Sequence, residues 1–119
     1  MIGLDIVSIE RIEKILLKDR DRFLSRFLND SELYLARNAQ STAGLWAAKE
    51  AASKALGCGI GEALSFHDMT ISKTSQGAPF ILLSTTASQR FGTEKIHISI
   101  THDGGFSAAV AFAMQPSSL

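Results

Sequence analysis

A single cysteine, Cys58, leaves no partner for an intrachain disulfide, and that scarcity suits a reducing compartment. One Cys also excludes a zinc-type ligand spacing. Neither sign of charge is in surplus, because 12 Lys and Arg stand against 12 Asp and Glu. Bulk electrostatics therefore gives no reason to expect nucleic-acid or membrane binding. No apolar run approaches the roughly 20 residues that span a bilayer. The opening "MIGLDIVSIERIEK" lacks the basic start and long apolar run of a signal peptide, so a cytoplasmic protein is expected. A P-loop, a G-x-G-x-x-G after a strand, a nucleophile elbow and internal repeats are all missing.

What remains is material for one core. The 119 residues, 45% apolar and 20% charged, suit a single globular domain over 1–119. Residues 2–8, "IGLDIVS", read as a buried strand. Ile9, Ile12 and Leu16 then share one helical face, with Arg11, Lys14 and Lys18 on another. "NDSE" at 29–32 offers caps for a second helix reaching about Arg37. A third, alanine-rich helix is expected over Ala43–Leu56, stopped by "GCGIG". Strands are expected at 66–73, 79–83 and 95–101, with a short helix around Thr86–Phe91. "HDGG" followed by "FSAAVAFA" predicts a hairpin return, and "QPSSL" is expected to fray. The fold class is α+β: an N-terminal strand, three helices, then antiparallel strands ending in a hairpin.

Few residues break these patterns, and those few carry chemistry. Asp5 lies between Leu4 and Ile6, where a lone carboxylate costs several kcal/mol unless it finds a partner or a strand end. Glu50 and Lys54 are four apart on one face of the alanine-rich helix. The common explanation for such a pair is an exposed ion pair worth a few tenths of a kcal/mol. Asp5 offers another reading. Two carboxylates from different elements, with oxygen ligands only, suit Mg²⁺, which keeps waters and is completed by substrate phosphates. A neighbouring lysine then suits a phosphate oxygen. His102 ends a strand and is either an exposed loop histidine or a phosphate contact. Cys58 follows a helix C-terminus, where the dipole disfavours a thiolate, and reads as packing. Between residues 11 and 26, six basic side chains face three acidic ones. That run is either a solvated face or a docking patch for an acidic partner.

Taken together, "GLDIVSIERI", "WAAKEAASKALGCGIG", "LSFHDMTISK", "QGAPF" and "ISITH" resemble one family in order and spacing over nearly the whole chain. That family is the holo-[acyl-carrier-protein] synthases, the small-type 4′-phosphopantetheinyl transferases. The resemblance implies Mg²⁺-dependent transfer of 4′-phosphopantetheine from coenzyme A to a serine of apo-acyl carrier protein, supporting fatty acid biosynthesis. It implies that Asp5 and Glu50 are the metal-binding carboxylates and that Lys54 assists the leaving phosphate. Coenzyme A contacts would come from Lys54, Gly57, Gly59 and His102, with Thr101 a further candidate. Arg11, Arg22 and Arg26 match positions that meet the carrier protein, and a homotrimer with sites between subunits is expected. Two positions depart from the family pattern: Leu45 and Ala78 stand where Arg and Lys are common. Two competing readings are a non-catalytic module that docks an acidic carrier, and a broad-range transferase acting on synthase carrier domains. The first leaves Asp5, Glu50 and Lys54 without a purpose; the second usually needs about twice this length.

Overall fold

Alternation in the first strand sets the architecture. The computed structural model describes residues 1–114, and in it β1 (Ile2–Ser8) turns Gly3 and Val7 inward and Ile2, Leu4 and Ile6 outward. The strand expected to be buried is therefore buried on one face only. Ile2, Leu4 and Ile6 are 69%, 63% and 64% exposed. Ser8 caps the following helix, accepting from the Arg11 amide at 3.2 Å. That helix, α1 (Ile9–Phe27), kinks at Asp19, whose φ of −160° and ψ of 77° are not helical.

Three boundaries differ from expectation. The second helix is only a short 3-10 segment, Asp30–Leu35. The alanine-rich helix, α2 (Ala39–Ala55), starts four residues before the expected Ala43. Asn38 explains this, because its side chain accepts from the Ser41 amide at 2.8 Å and so caps the helix earlier. The strand expected from Phe66 begins as a 3-10 turn, so β2 is Met69–Lys73. The other expectations hold closely: β3 (Pro79–Leu83), α3 (Thr85–Phe91), β4 (Lys95–Asp103) and β5 (Phe106–Ala113). The expected fraying of "QPSSL" lies outside the described residues.

All five strands form one antiparallel sheet in the order β1-β5-β4-β3-β2. Helix α2 lies across β1, β5 and β4, and its alanines are the reason it can. Ala43, Ala47, Ala48, Ala51, Ala52 and Ala55 are all buried. Gly3 is the closest approach, for a Cβ there would run into the Ala51 carbonyl oxygen and the Ala55 amide. A second cluster closes the α1 side, where Phe23, Phe27 and Phe66 surround Trp46 with ring centroids 5.0–5.5 Å from it.

Candidate functional site

The approach of α2 to β1 at Gly3 brings the helix over Asp5. Lys54 donates from Nζ to Asp5 Oδ1 at 2.9 Å and to the Leu4 carbonyl at 3.1 Å. The Asp5 side chain is only 16% exposed, so this bond, rather than solvent, answers the cost of placing it in the strand. Glu50 sits one turn earlier on the helix and forms no ion pair among the described residues. The exposed Glu50–Lys54 pair is therefore not what forms. Burial pushes the Glu50 carboxyl up from its ordinary range, the charge of Asp5 adds to this, and Lys54 opposes it. The cluster thus holds two carboxylates that repel each other and one ammonium.

Beyond Lys54 the chain turns outward through Gly57 and Gly59, with φ of +80° and +66°. Both amides bond back to the end of α2, to the carbonyls of Lys54 and Ser53. A Cβ at either position would meet nothing within 4 Å, so the left-handed backbone, not crowding, is what requires glycine. Between them, burial pushes the Cys58 thiol up, away from thiolate chemistry.

His102 and Thr101 are not part of this cluster. His102 shares the α2-facing side of β4 with Ile100, across from Ser107, and lines a cavity of about 410 Å³. That cavity lies at the leading end of α2, beside Gln40, Ser41, Gly44 and Leu45. At 1.5 Å per residue, about 15 Å of helix separates Gly44 from Lys54. Thr101 alternates to the opposite, open face of the sheet, beside Ala108. Leu45 is buried against the cavity, and Ala78 is exposed before β3.

Arg11, Arg22 and Arg26 do come together. They border a cleft of about 530 Å³ whose other walls include Ile12, Ile15, Phe23 and Trp46. Lys18 adds a fourth cation and Asp19 the one carboxylate.

One buried pair escaped sequence reasoning. Lys49, next to Glu50, is fully buried and donates to Glu32 Oε1 at 2.8 Å and to the carbonyls of Phe27 (2.8 Å) and Phe66 (3.2 Å). Glu32 accepts in turn from the amides of Asn29 and Ile71, both at 2.7 Å. Burial pushes the Lys49 ammonium down, while its hydrogen bond to Glu32 and the charge of Glu32 hold it up. The pair fixes the rotation of α2, and thereby the face that carries Glu50 and Lys54. Its signal was Lys49 itself, which falls at helical spacing with the buried Leu45 and Ala52.

Comparison with known proteins assigns the family. A profile of the 4′-phosphopantetheinyl transferase superfamily matches residues 1–112. The chain belongs to this family. It is 50% identical to the holo-[acyl-carrier-protein] synthase of Aliarcobacter butzleri over 110 residues, covering 92% of this chain and 93% of that protein. The namesake from Nautilia profundicola is 48% identical over 115 residues, 97% of this chain and 100% of the other. The crystal structure of Helicobacter pylori holo-[acyl-carrier-protein] synthase in complex with coenzyme A superposes with a TM-score of 0.91 at 48% identity. That match covers 96% of this chain and 100% of the other. This member of the phosphopantetheinyl transferases therefore has the α+β fold and the enzyme class that its motifs imply.

Proposed function

We propose that the chain transfers 4′-phosphopantetheine from coenzyme A to a serine of apo-acyl carrier protein, releasing adenosine 3′,5′-bisphosphate and serving fatty acid biosynthesis in the cytoplasm. The observation that carries this reading is the Asp5–Lys54 contact beneath Glu50, in a chain of this family. In the reaction the serine oxygen bonds to the β-phosphorus of coenzyme A. The bond from that phosphorus to the bridging oxygen breaks, and the electron pair leaves with the bisphosphate. Lys54, half exposed beside Asp5, is the ammonium that meets the charge on the departing phosphate. The serine proton leaves to Glu50 or to a water.

The donor set fits Mg²⁺. Asp5 and Glu50 bring oxygen ligands only, and a cation between them would offset the burial and the Asp5 charge that raise the Glu50 carboxyl. These two residues would hold the ion, which when bound neutralises and aligns the pyrophosphate. The described residues contain no group of three or more His, Cys, Asp or Glu placed to hold a metal. A site completed by substrate phosphates and water suits that.

Two observations support a homotrimer with sites between subunits. The open sheet face exposes Ile2, Leu4, Ile6, Phe106, Val110 and Phe112, each 42–69% accessible. Such a contiguous apolar surface suits burial against further copies of the chain. His102 and the Asp5 cluster lie at opposite ends of α2, so a neighbouring copy is the natural source of the missing half. The Arg11–Arg22–Arg26 cleft, basic at its rim and apolar within, suits an acidic carrier helix. No helix among the described residues is long and apolar enough to cross a membrane.

Quantifying adenosine 3′,5′-bisphosphate by chromatography tests the reading. Its release should match holo-carrier formation one for one and cease without apo-carrier. Release without carrier, or none at all, would contradict it.

A further inference from the structure

The open face of the sheet carries one ionisable side chain in its apolar middle. Alternation along β4 turns Lys95, His97, Ser99, Thr101 and Asp103 to this face, and Ile96 and Ile98 away from it. Lys95 and Asp103 stand at the two ends of the strand, and His97 lies between them. Register across four strands places it in the row Phe80–His97–Phe112–Ile2. The other strands, β1, β2, β3 and β5, bring no charged side chain to this face.

Nothing in the fold prepares this ring for a charge. His97 forms no ion pair among the described residues, and the one histidine ring seen in a hydrogen bond there is that of His67, with Asn29 at 2.8 Å. A shallow hollow of about 510 Å³ sets Glu94 and Lys95 beside His97, with uncharged Ser88 and Gln89 of α3 as its far wall. One charge of each sign therefore borders the ring, and Lys95 Nζ is itself drawn over the Phe80 ring, 4.4 Å from the centroid. Asp103 is about 20 Å further along β4.

Assembly would change these surroundings. Phe112 and Ile2, next to His97 in the row, are 45% and 69% exposed in the single chain. A second copy covering them takes His97 out of water among apolar side chains. It brings the same face, with the same two charged residues at the ends of β4. A neutral imidazole tolerates such a place, whereas a charged one buried without a partner carries a large desolvation penalty.

We propose that His97 makes association of copies through the open sheet face depend on pH: the neutral ring lets the copies join, and the protonated ring holds them apart. The inference rests on the homotrimer reading and adds a regulation of that assembly, and through sites shared between subunits a regulation of transfer. Linkage fixes the sign. Separated copies hold the extra proton, so they gain as pH falls through roughly 8 to 5, the range in which imidazoles titrate. With one ring in each of three copies, trimer dissociation should strengthen by up to about tenfold per ring for each pH unit.

Sedimentation equilibrium over a dilution series of the full chain, at about pH 8 and about pH 5.5, tests this. Wild type should form a trimer at the higher pH, with association at least about tenfold weaker at the lower. H97Q and H97F should abolish the difference, because neither side chain takes a proton while His67 and His102 remain. H97K should give the smaller species at both pH values. His97 is exposed in the single chain, so folding should persist, and circular dichroism verifies it. Wild-type transfer should follow the trimer fraction. A wild-type trimer equally tight at both pH values, or H97Q loosening as much as wild type, would overturn the proposal and leave the homotrimer reading standing. A single-chain species at the higher pH would overturn both.

Discussion

Lys54 on α2 and Asp5 on β1 are 49 residues apart in the chain and 2.9 Å apart at Nζ and Oδ1. This contact takes the cation that helical spacing would have given to Glu50. Glu50 is left half-buried, near a second carboxylate and without an ion-pair partner among the described residues.

Replacing Glu50 by Gln should therefore act in two opposite directions. Turnover should fall by at least about a hundredfold, because a charged ligand for the metal is lost. Stability in chelator should rise. A carboxyl whose folded-state pKa is raised favours the folded state while it is protonated, and loses that contribution as pH climbs through the raised value. Near neutral pH the ionised Glu50 is thus a liability that Gln removes. Melting curves in chelator should show the variant higher by up to about 4 °C, the scale of 1 kcal/mol in a domain of this size. The gap should close as pH falls towards the ordinary glutamate value of about 4.3. A variant less stable than wild type in chelator near neutral pH would contradict the electrostatic reading.

The Lys49–Glu32 pair predicts strong non-additivity. Lys49→Met alone leaves Glu32 buried and charged, and should cost about 3–5 kcal/mol in urea unfolding. Lys49→Met with Glu32→Gln removes the orphaned charge and keeps an acceptor oxygen for one of the two amides, Asn29 or Ile71, that bond the two Glu32 oxygens. The double variant should be more stable than Lys49→Met by more than about 1 kcal/mol. Simple addition of the two single costs would show that the pair is not coupled.

Reversing charge on α1 should separate the two substrates. Arg11→Glu combined with Arg26→Glu should raise KM for the carrier protein about tenfold or more, with little change for coenzyme A. The carrier effect should shrink as salt rises. Equal effects on both substrates would remove the docking role of this cleft.

Placing a charge on the open sheet face should disrupt assembly. Leu4→Glu alters an outward side chain that is 63% exposed, so the fold should survive. Sedimentation should report a trimer for wild type and a smaller species for the variant, and transfer should be lost with assembly. A fully active monomer would refute sites shared between subunits.

Much of this was legible in the sequence because it depends on local periods. A carboxylate in an apolar strand and a Glu and Lys four apart declare themselves without tertiary information. The start of α2 was legible in principle, since Asn38 and Ser41 form a cap, but a run of polar residues obscured it. Other features depend on contacts distant in sequence. Whether β1 is covered on one face or two follows from α2 lying on one side of the sheet, which no strand pattern states. Lys49 reads as an ordinary helix charge until Glu32, 17 residues earlier, folds against it. The cluster and the His102 cavity belong to one motif set but to opposite ends of one helix.

The most direct measurement is the mass of apo-acyl carrier protein after incubation with the pure enzyme, coenzyme A and Mg²⁺, with and without chelator. We expect the carrier to gain one phosphopantetheine group, the gain to vanish with chelator, and Glu50→Gln to show none. No gain with the wild-type protein, or an equal gain in chelator, would contradict a metal-assisted transferase built on Asp5, Glu50 and Lys54.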